Sequence, residues 1–401
     1  MPDSKNYDNG DDDNNHKDSH HQNFSDPGAG NTVAGNNAPV LNDPAVKKRK
    51  LRNLILRILN IVIVVGFGIY LVSVLLRQVS FEEIKNAIIN IYKPSIIAAL
   101  SIIFISDLFR AYRMQLLVGI GEIRFIDMFL TALIRNAFVM VLPARTGELS
   151  YVYVLTKKFK FPVEIGISTM ILAMVFDLAI VFSLIVISII IVWLTMGFSN
   201  FSFSSWPVIL IASVLLVASM LLLFYLSPII KFFIKVIDRH IMKKKAGKSR
   251  FMQFIFRKLC DINTSIEIIR KRRVYGKVYF YSIICRVLKF LAYYLAIHAV
   301  LKPMGYGFAS LSFWVIFLAT VVAEISAVLP THALAGFGTY EGAFALAFIA
   351  LGFSSKIAIT VGFSYHLIML SFAVTLGLIS MIIISLPFYK TKNPVQASQL
   401  S

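Results

Sequence analysis

Residues 329–342 read LPTHALAGFGTYEG, and their placement decides the fold. They lie inside 303–355, a stretch whose only formal charges are Glu324 and Glu341. Proline and glycine break helices, and in hydrocarbon each unsatisfied backbone group costs several kcal/mol. Broken backbone at membrane depth must therefore line a cavity or be buried in protein, which marks the stretch as a site candidate. Residues 142–148, LPARTGE, have the same character, and the two strings organise the rest of the chain.

The chain is 57% hydrophobic and 15% charged, with mean hydropathy +0.74. Several apolar runs reach the roughly 18 residues that a bilayer core demands, so the expectation is an all-α polytopic membrane protein. The net charge of +19 is unevenly placed. Residues 1–46 hold eight Asp against two Lys and few apolar groups, and read as a disordered cytoplasmic tail. Its His16, His20 and His21 read as solvated rather than metal-binding. Six cations follow at Lys47, Lys48, Arg49, Lys50, Arg52 and Arg57. Residues 231–277 hold fifteen Lys or Arg against three acids. Positive charge beside membrane segments reads as cytoplasmic anchoring to anionic lipid, not as nucleic-acid binding. Cys260 and Cys285 suggest neither a disulfide framework nor a metal site.

Apolar segments fall near 54–76, 95–117, 125–142, 165–196, 207–230, 279–301, 311–329, 341–352 and 357–386. The positive-inside bias puts both termini in the cytoplasm of a multi-pass plasma-membrane protein, the bacterial inner membrane if the source is bacterial. Basic residues on both sides of 125–156 require that segment to leave and return. Its 32 residues fall short of the roughly 40 that two crossings need, so it reads as a re-entrant hairpin with LPARTGE near its tip. Residues 303–355 form a second hairpin from the opposite face, long enough that length alone leaves its depth open. Each half is then a span, a hairpin with an LP turn, and a long span. That is the pattern of an inverted repeat, which places a substrate site at broken helices near the midplane. The expected organisation is a tail (1–46), a transmembrane domain (47–390) containing a basic interfacial loop (231–277), and a C-terminal tail (391–401). In that loop Ile230, Phe233, Ile234, Ile237 and Ile241 share one helical face, as do Phe251, Ile255, Leu259, Ile262, Ile266 and Ile269, which suggests two interfacial helices.

Ionisable residues inside spans are costly and usually functional. Arg110 and Arg113 sit at a span's inner end, where snorkelling accounts for them, and Asp107 is placed to pair with Arg110. Arg135 is too deep in the first hairpin to snorkel. Arg145 and Glu148 flank Gly147 at its tip, and a guanidinium is a natural fork for a phosphate. Glu148 is alternatively a structural partner of Arg135 or Arg145. Asp177 needs a cation or a proton. Together with Glu324, Glu341 and His366 it forms either a proton relay or ion pairs with Arg135 and Arg286 that fix packing. Gly336, Gly338 and Gly342 permit tight turns. AGKS at 246–249 is no P-loop, because Met242 takes the first glycine position and no strand precedes it. No cofactor is implied, and no metal-binding or nucleophile-elbow motif is present.

The strings LPARTGELSYVYVLTKKFKFP and LPTHALAGFGTYEGAFALAFIALGFS resemble the two signature loops of the flippase-like transmembrane domain of lysylphosphatidylglycerol synthases. The resemblance covers roughly residues 50–390. It implies a lipid-handling unit that moves aminoacyl-phosphatidylglycerol or related anionic or polyprenyl-linked lipids between leaflets. Carried over by motif, it implicates Pro143, Arg145, Gly147 and Glu148 with Pro330, Gly336, Gly338 and Glu341. Arg135 joins these as a lipid-binding candidate, while Asp177, Glu324 and His366 serve as charge-compensating or proton-relay candidates. The synthases add a soluble aminoacyl-transfer domain. Here the longest soluble segment is too small for one, so lysyltransferase activity is not expected of this chain. The rivals are the membrane component of an aminoacyl- or glycosyl-transferase system, and a scaffold that recruits a lipid-modifying enzyme.

Overall fold

The computed structural model describes residues 66, 69–119, 121–196, 206–239, 250–326, 334–387 and 389. Both tails and Pro330 lie outside them, as do residues 240–249 of the basic loop. The helices are α1 (residues 69–76), α2 (Phe81–Ile89), α3 (Lys93–Val118), α4 (Phe125–Val141), α5 (Leu149–Lys157), α6 (Val163–Met196), α7 (Trp206–Ile237), α8 (Arg250–Lys271), α9 (Tyr275–Leu301), α10 (Phe313–Ser326), α11 (Thr339–Ala350) and α12 (Ser355–Ser385). Tight 3-10 turns, Pro143–Glu148 and Leu334–Gly336, stand between α4 and α5 and ahead of α11. No strand occurs among the described residues.

Four helices, α3, α6, α9 and α12, are long and apolar enough to cross a bilayer. α7 is bent by 72° between Ser213–Leu222 and Tyr225–Ile237, and counted as one broken span it brings the number to five. The chain is thus an all-α polytopic membrane protein, and apolar side chains such as Ile97, Leu194, Val214 and Ile382 point outward as a lipid-facing surface requires. The second expected amphipathic stretch coincides with α8, and of the first, Ile230, Phe233, Ile234 and Ile237 lie on the far end of α7 while Ile241 lies outside the described residues.

The hairpin arms are short. α4 and α5 have 17 and 9 residues, and α10 and α11 have 14 and 12. At 1.5 Å per residue, the arms of the second hairpin reach about 21 and 18 Å, against a hydrocarbon core of about 30 Å. Among the described residues neither arm alone reaches that thickness, and residues 327–333 between them lie outside the described residues.

α3 and α9 run antiparallel in close contact, with the Tyr92 amide bonded to the Ala299 carbonyl at one end and Arg272 to the Val118 carbonyl at the other. Exchanging α2–α6 for α8–α12 largely reproduces the packing pattern. α3 on α4 becomes α9 on α10, α5 on α6 becomes α11 on α12, α4 on α12 becomes α10 on α6, and α2 on α12 becomes α8 on α6. The contact of α6 with α9 has no counterpart of similar extent. The expected inverted repeat is therefore visible in the packing, with α3 and α9 about its centre.

Two apolar cores result. One joins Ala99 and Ile185 to α9–α12, and the other joins Ala111–Val118 to α4, α5 and the first turns of α6. Between them, near the midpoints of α3, α6 and α9, lies a polar layer.

Candidate functional site

That layer is built from residues whose helical spacing puts them on one face. α3 supplies Asp107, Arg110 and Arg113, spaced three apart, and α9 supplies Arg286 and Lys289. α6 contributes Asp177 and α10 contributes Glu324. The first hairpin adds Arg135 and Asn136 from α4, with Arg145 and Glu148 from the turn.

Every carboxylate in the layer is ion-paired. Asp107 accepts from Arg110 at 2.6 Å and from Asn136 at 2.8 Å. Asp177 is clasped between Arg113 and Arg286, the latter at 2.8 Å. Glu324 meets Lys289 and, at 3.7 Å, Arg286. Glu148 takes both prongs of Arg135, at 2.5 and 2.7 Å. Such charges are tolerated in a membrane interior only when paired. Arg113, expected to snorkel, is only 1% exposed, because Asp177 and the Ser282 hydroxyl at 2.9 Å hold it inward.

The pairs surround a cavity of ≈ 120 Å³ whose wall includes Asp107, Arg110, Arg135, Arg145, Glu148, Asp177, Arg286, Lys289 and Tyr293, closed by Met369 and Phe372 of α12. At about 30 Å³ per water, that is room for a phosphate-sized group with a few waters, not for a whole lipid. Six cations (Arg110, Arg113, Arg135, Arg145, Arg286, Lys289) share the layer with four carboxylates (Asp107, Glu148, Asp177, Glu324). The site carries an excess of two positive charges. The Arg145 side chain makes no direct ion pair or hydrogen bond among the described residues, its charge reaches Glu324 at longer range, and its backbone is left-handed at φ 55°. Gly147 sets the turn's closeness: a Cβ there would stand 2.2 Å from the Phe138 carbonyl.

A second, wider groove of ≈ 610 Å³ lies on the other side of α4, between Ile134, Phe138, Leu149, Tyr153 and Ile384, with Lys157 and Lys158 at its rim.

The second hairpin does something different. Gly336, Gly338 and Glu341 do not line the cavity. Glu341, fully buried, accepts from the Gly338 amide at 2.8 Å and meets His366 Nδ1 at 2.6 Å. The direct partner of His366 is thus Glu341, whereas Asp177 and Glu324 pair with cations of the layer. Pro143 opens the first turn, while Pro330 lies outside the described residues. Arg286 and Lys289, visible as charges in an apolar run, belong to the cavity, and so do Asn136 and Tyr293, which no charge pattern could flag. Among the described residues no group of His, Cys, Asp and Glu is placed to hold a metal.

The sequence model of a family described as the lysylphosphatidylglycerol synthase TM region matches residues 57–377. None of the curated proteins compared with the chain matches it.

Proposed function

From the chain's membership of the lysylphosphatidylglycerol synthase transmembrane-region family, we propose that it is a lipid translocase that carries an anionic headgroup past the bilayer midplane. One observation carries the reading: a mid-span cavity with two more cations than carboxylates, and in it an arginine, Arg145, that makes no direct ion pair among the described residues and feels Glu324 only at longer range. A phosphodiester supplies the missing negative charge, and a guanidinium binds it with paired hydrogen bonds. Arg135, anchored by Glu148, then positions the turn, while Pro143 and Gly147 shape it. Asp177 and Glu324 hold Arg113, Arg286 and Lys289 at the cavity without neutralising it. The second turn, with Gly336, Gly338 and Glu341, forms the opposing gate.

The groove beside the first hairpin offers acyl or polyprenyl chains an apolar wall while the headgroup occupies the cavity. Aminoacyl-phosphatidylglycerol fits this chemistry, and a polyprenyl phosphate fits it too. The basic flanks support a plasma-membrane protein with both termini cytoplasmic. A second reading, the membrane component of a lipid-modifying transferase system, is favoured by the family description, which names a synthase.

The test is reconstitution into liposomes with fluorescent anionic lipids, following loss of outer-leaflet signal. Wild type should move lipid, and Arg145→Ala should slow it at least tenfold while remaining folded. No movement by wild type across an anionic and polyprenyl-phosphate panel would sink the reading and favour the transferase-partner role.

A further inference from the structure

We propose that the Glu341–His366 pair is the proton-binding site that couples translocation to a pH gradient, a step that rests on the translocase reading above. The pair joins α12 to the N-terminus of α11 in a fully buried position. Both carboxylate oxygens are engaged, Oε1 with the imidazole and Oε2 with the Gly338 amide. A helix cap alone requires only the second contact, so the buried histidine calls for another reason.

The chemistry gives the pair two protonation states. With imidazolium, the pair is neutral and ionic. When the proton leaves Nε2, Nδ1–H still donates to the carboxylate. The remaining negative charge is then held by the Gly338 amide and the positive end of α11. One proton thus enters or leaves at Nε2 without breaking the cap, while the attraction between α11 and α12 changes.

What that attraction holds is a tight left-handed turn, strained only at Ala335. Ala335, Gly336 and Gly338 have φ of 54°, 73° and 86°, and the Leu334–Gly336 turn packs against α4 and the Pro143–Glu148 turn. The latch therefore presses one hairpin tip onto the other, where Arg145 enters the cavity. The repeat sharpens the point: where α6 places Asp177 between two permanent cations, α12 places a histidine against a carboxylate. The sign is reversed, and the central group is one that can gain or lose a proton at its ring nitrogen.

The titratable neighbours come from each packed element. α11 supplies Tyr340, with its ring 4.4 Å from that of His366, and α12 supplies Tyr365, which donates to Tyr340 at 2.6 Å. α9 supplies Tyr293, edge-on to Tyr365, and α10 supplies Glu324, whose charge reaches both Tyr340 and Tyr365. α4 brings the Arg135–Glu148 pair to the cavity side of α12, and α2 brings Glu83 only to Lys356 at its start, 2.8 Å away. His366 and Glu341 are the members of this set with each other as direct ionic partners.

The test uses two readouts on the full chain in nanodiscs and liposomes. Spin labels at Thr146→Cys and Leu346→Cys, in a background with Cys260→Ser and Cys285→Ala, report the distance between the hairpins. The distance distribution should shift between about pH 5.5 and about pH 8.5, and stay fixed in His366→Gln. No shift in the unsubstituted background, or the same shift with His366→Gln, overturns the proposal whatever the lipid assay gives. In liposomes an imposed pH gradient should change the wild-type lipid rate several-fold, with accompanying proton movement seen by an entrapped dye. His366→Gln should lose both responses while still moving lipid. Wild-type lipid movement indifferent to the gradient overturns the coupling and leaves the translocase reading standing. No lipid movement by wild type, with the label shift intact, removes that reading and leaves a proton-driven conformational change.

Discussion

Arg135 and Glu148 meet in a two-pronged ion pair, Nε to Oε2 at 2.5 Å and Nη2 to Oε1 at 2.7 Å, across the break that ends α4. The guanidinium is 12% exposed and the carboxylate 6%, so removing either leaves a nearly buried charge without its partner. Glu148→Ala should cost about 3–5 kcal/mol, whereas the shape-matched double change Arg135→Met with Glu148→Leu should recover most of it. Thermal unfolding in detergent measures both. The double variant should be stable yet slow in lipid movement. A stable, fully active double variant would make the pair irrelevant to transport.

Gly147 and Gly342 are both glycines of the hairpin segments, yet they should behave oppositely. A Cβ on Gly147 meets the Phe138 backbone at 2.2 Å, and backbone cannot swing away. Gly147→Ala should therefore open the turn, lose about 1–3 kcal/mol as overpacking does, and slow transport. Gly342 has nothing within 4 Å and lies inside α11, so Gly342→Ala should be neutral or gain up to about 1 kcal/mol. Equal melting temperatures for the two variants would count against the turn geometry.

The architecture was legible because the bilayer constrains it so tightly. Runs such as 165–196 and 357–386 leave no alternative to long helices, and the two LP strings marked where helices must break. Charge bias also exposed the shortness of the first hairpin. The pairing within the polar layer was only half legible. Asp107 with Arg110 follows from helical spacing, but Asp177 with Arg113 and Arg286 joins residues 64 and 109 positions apart, which no local pattern fixes. Arg113 was misplaced for the same reason: an arginine near a span's end reads as snorkelling until its distant partner is known. Asn136 and Tyr293 gave no signal, since neutral polar and aromatic side chains are common in spans.

Glu267 of the amphipathic helix α8 anchors it to α7 through Lys231 at 2.5 Å and Ser227 at 2.9 Å. Hydrogen bonds from Lys231 first, and then Ser227, hold its carboxyl below the ordinary glutamate range. A carboxyl lowered on docking stabilises the docked state above the ordinary value of about 4.3, and that contribution fades as pH falls through the lowered value. Both groups are substantially exposed, so the contact is worth no more than about 1 kcal/mol. A spin label on Thr264→Cys should gain mobility as pH drops below about 4, and Glu267→Gln should show part of that mobility already at neutral pH. An unchanged spectrum in Glu267→Gln would mean that apolar burial of Ile266 and Ile269 alone holds the helix.

Arg145 offers the sharpest separation of stability from function. Its left-handed backbone costs a non-glycine residue about 1 kcal/mol, and no ion pair among the described residues repays that. Arg145→Gly should therefore keep or slightly raise the melting temperature while cutting lipid movement at least tenfold. Arg145→Lys keeps the charge but loses the fork, and should retain an intermediate rate with weaker discrimination between anionic and zwitterionic lipids. Ionic strength should matter little, because a charge inside a mid-span cavity is poorly screened. If Arg145→Gly instead lowers stability by several kcal/mol, the guanidinium is a structural strut, and the headgroup must be sought at Arg110, Arg286 or Lys289.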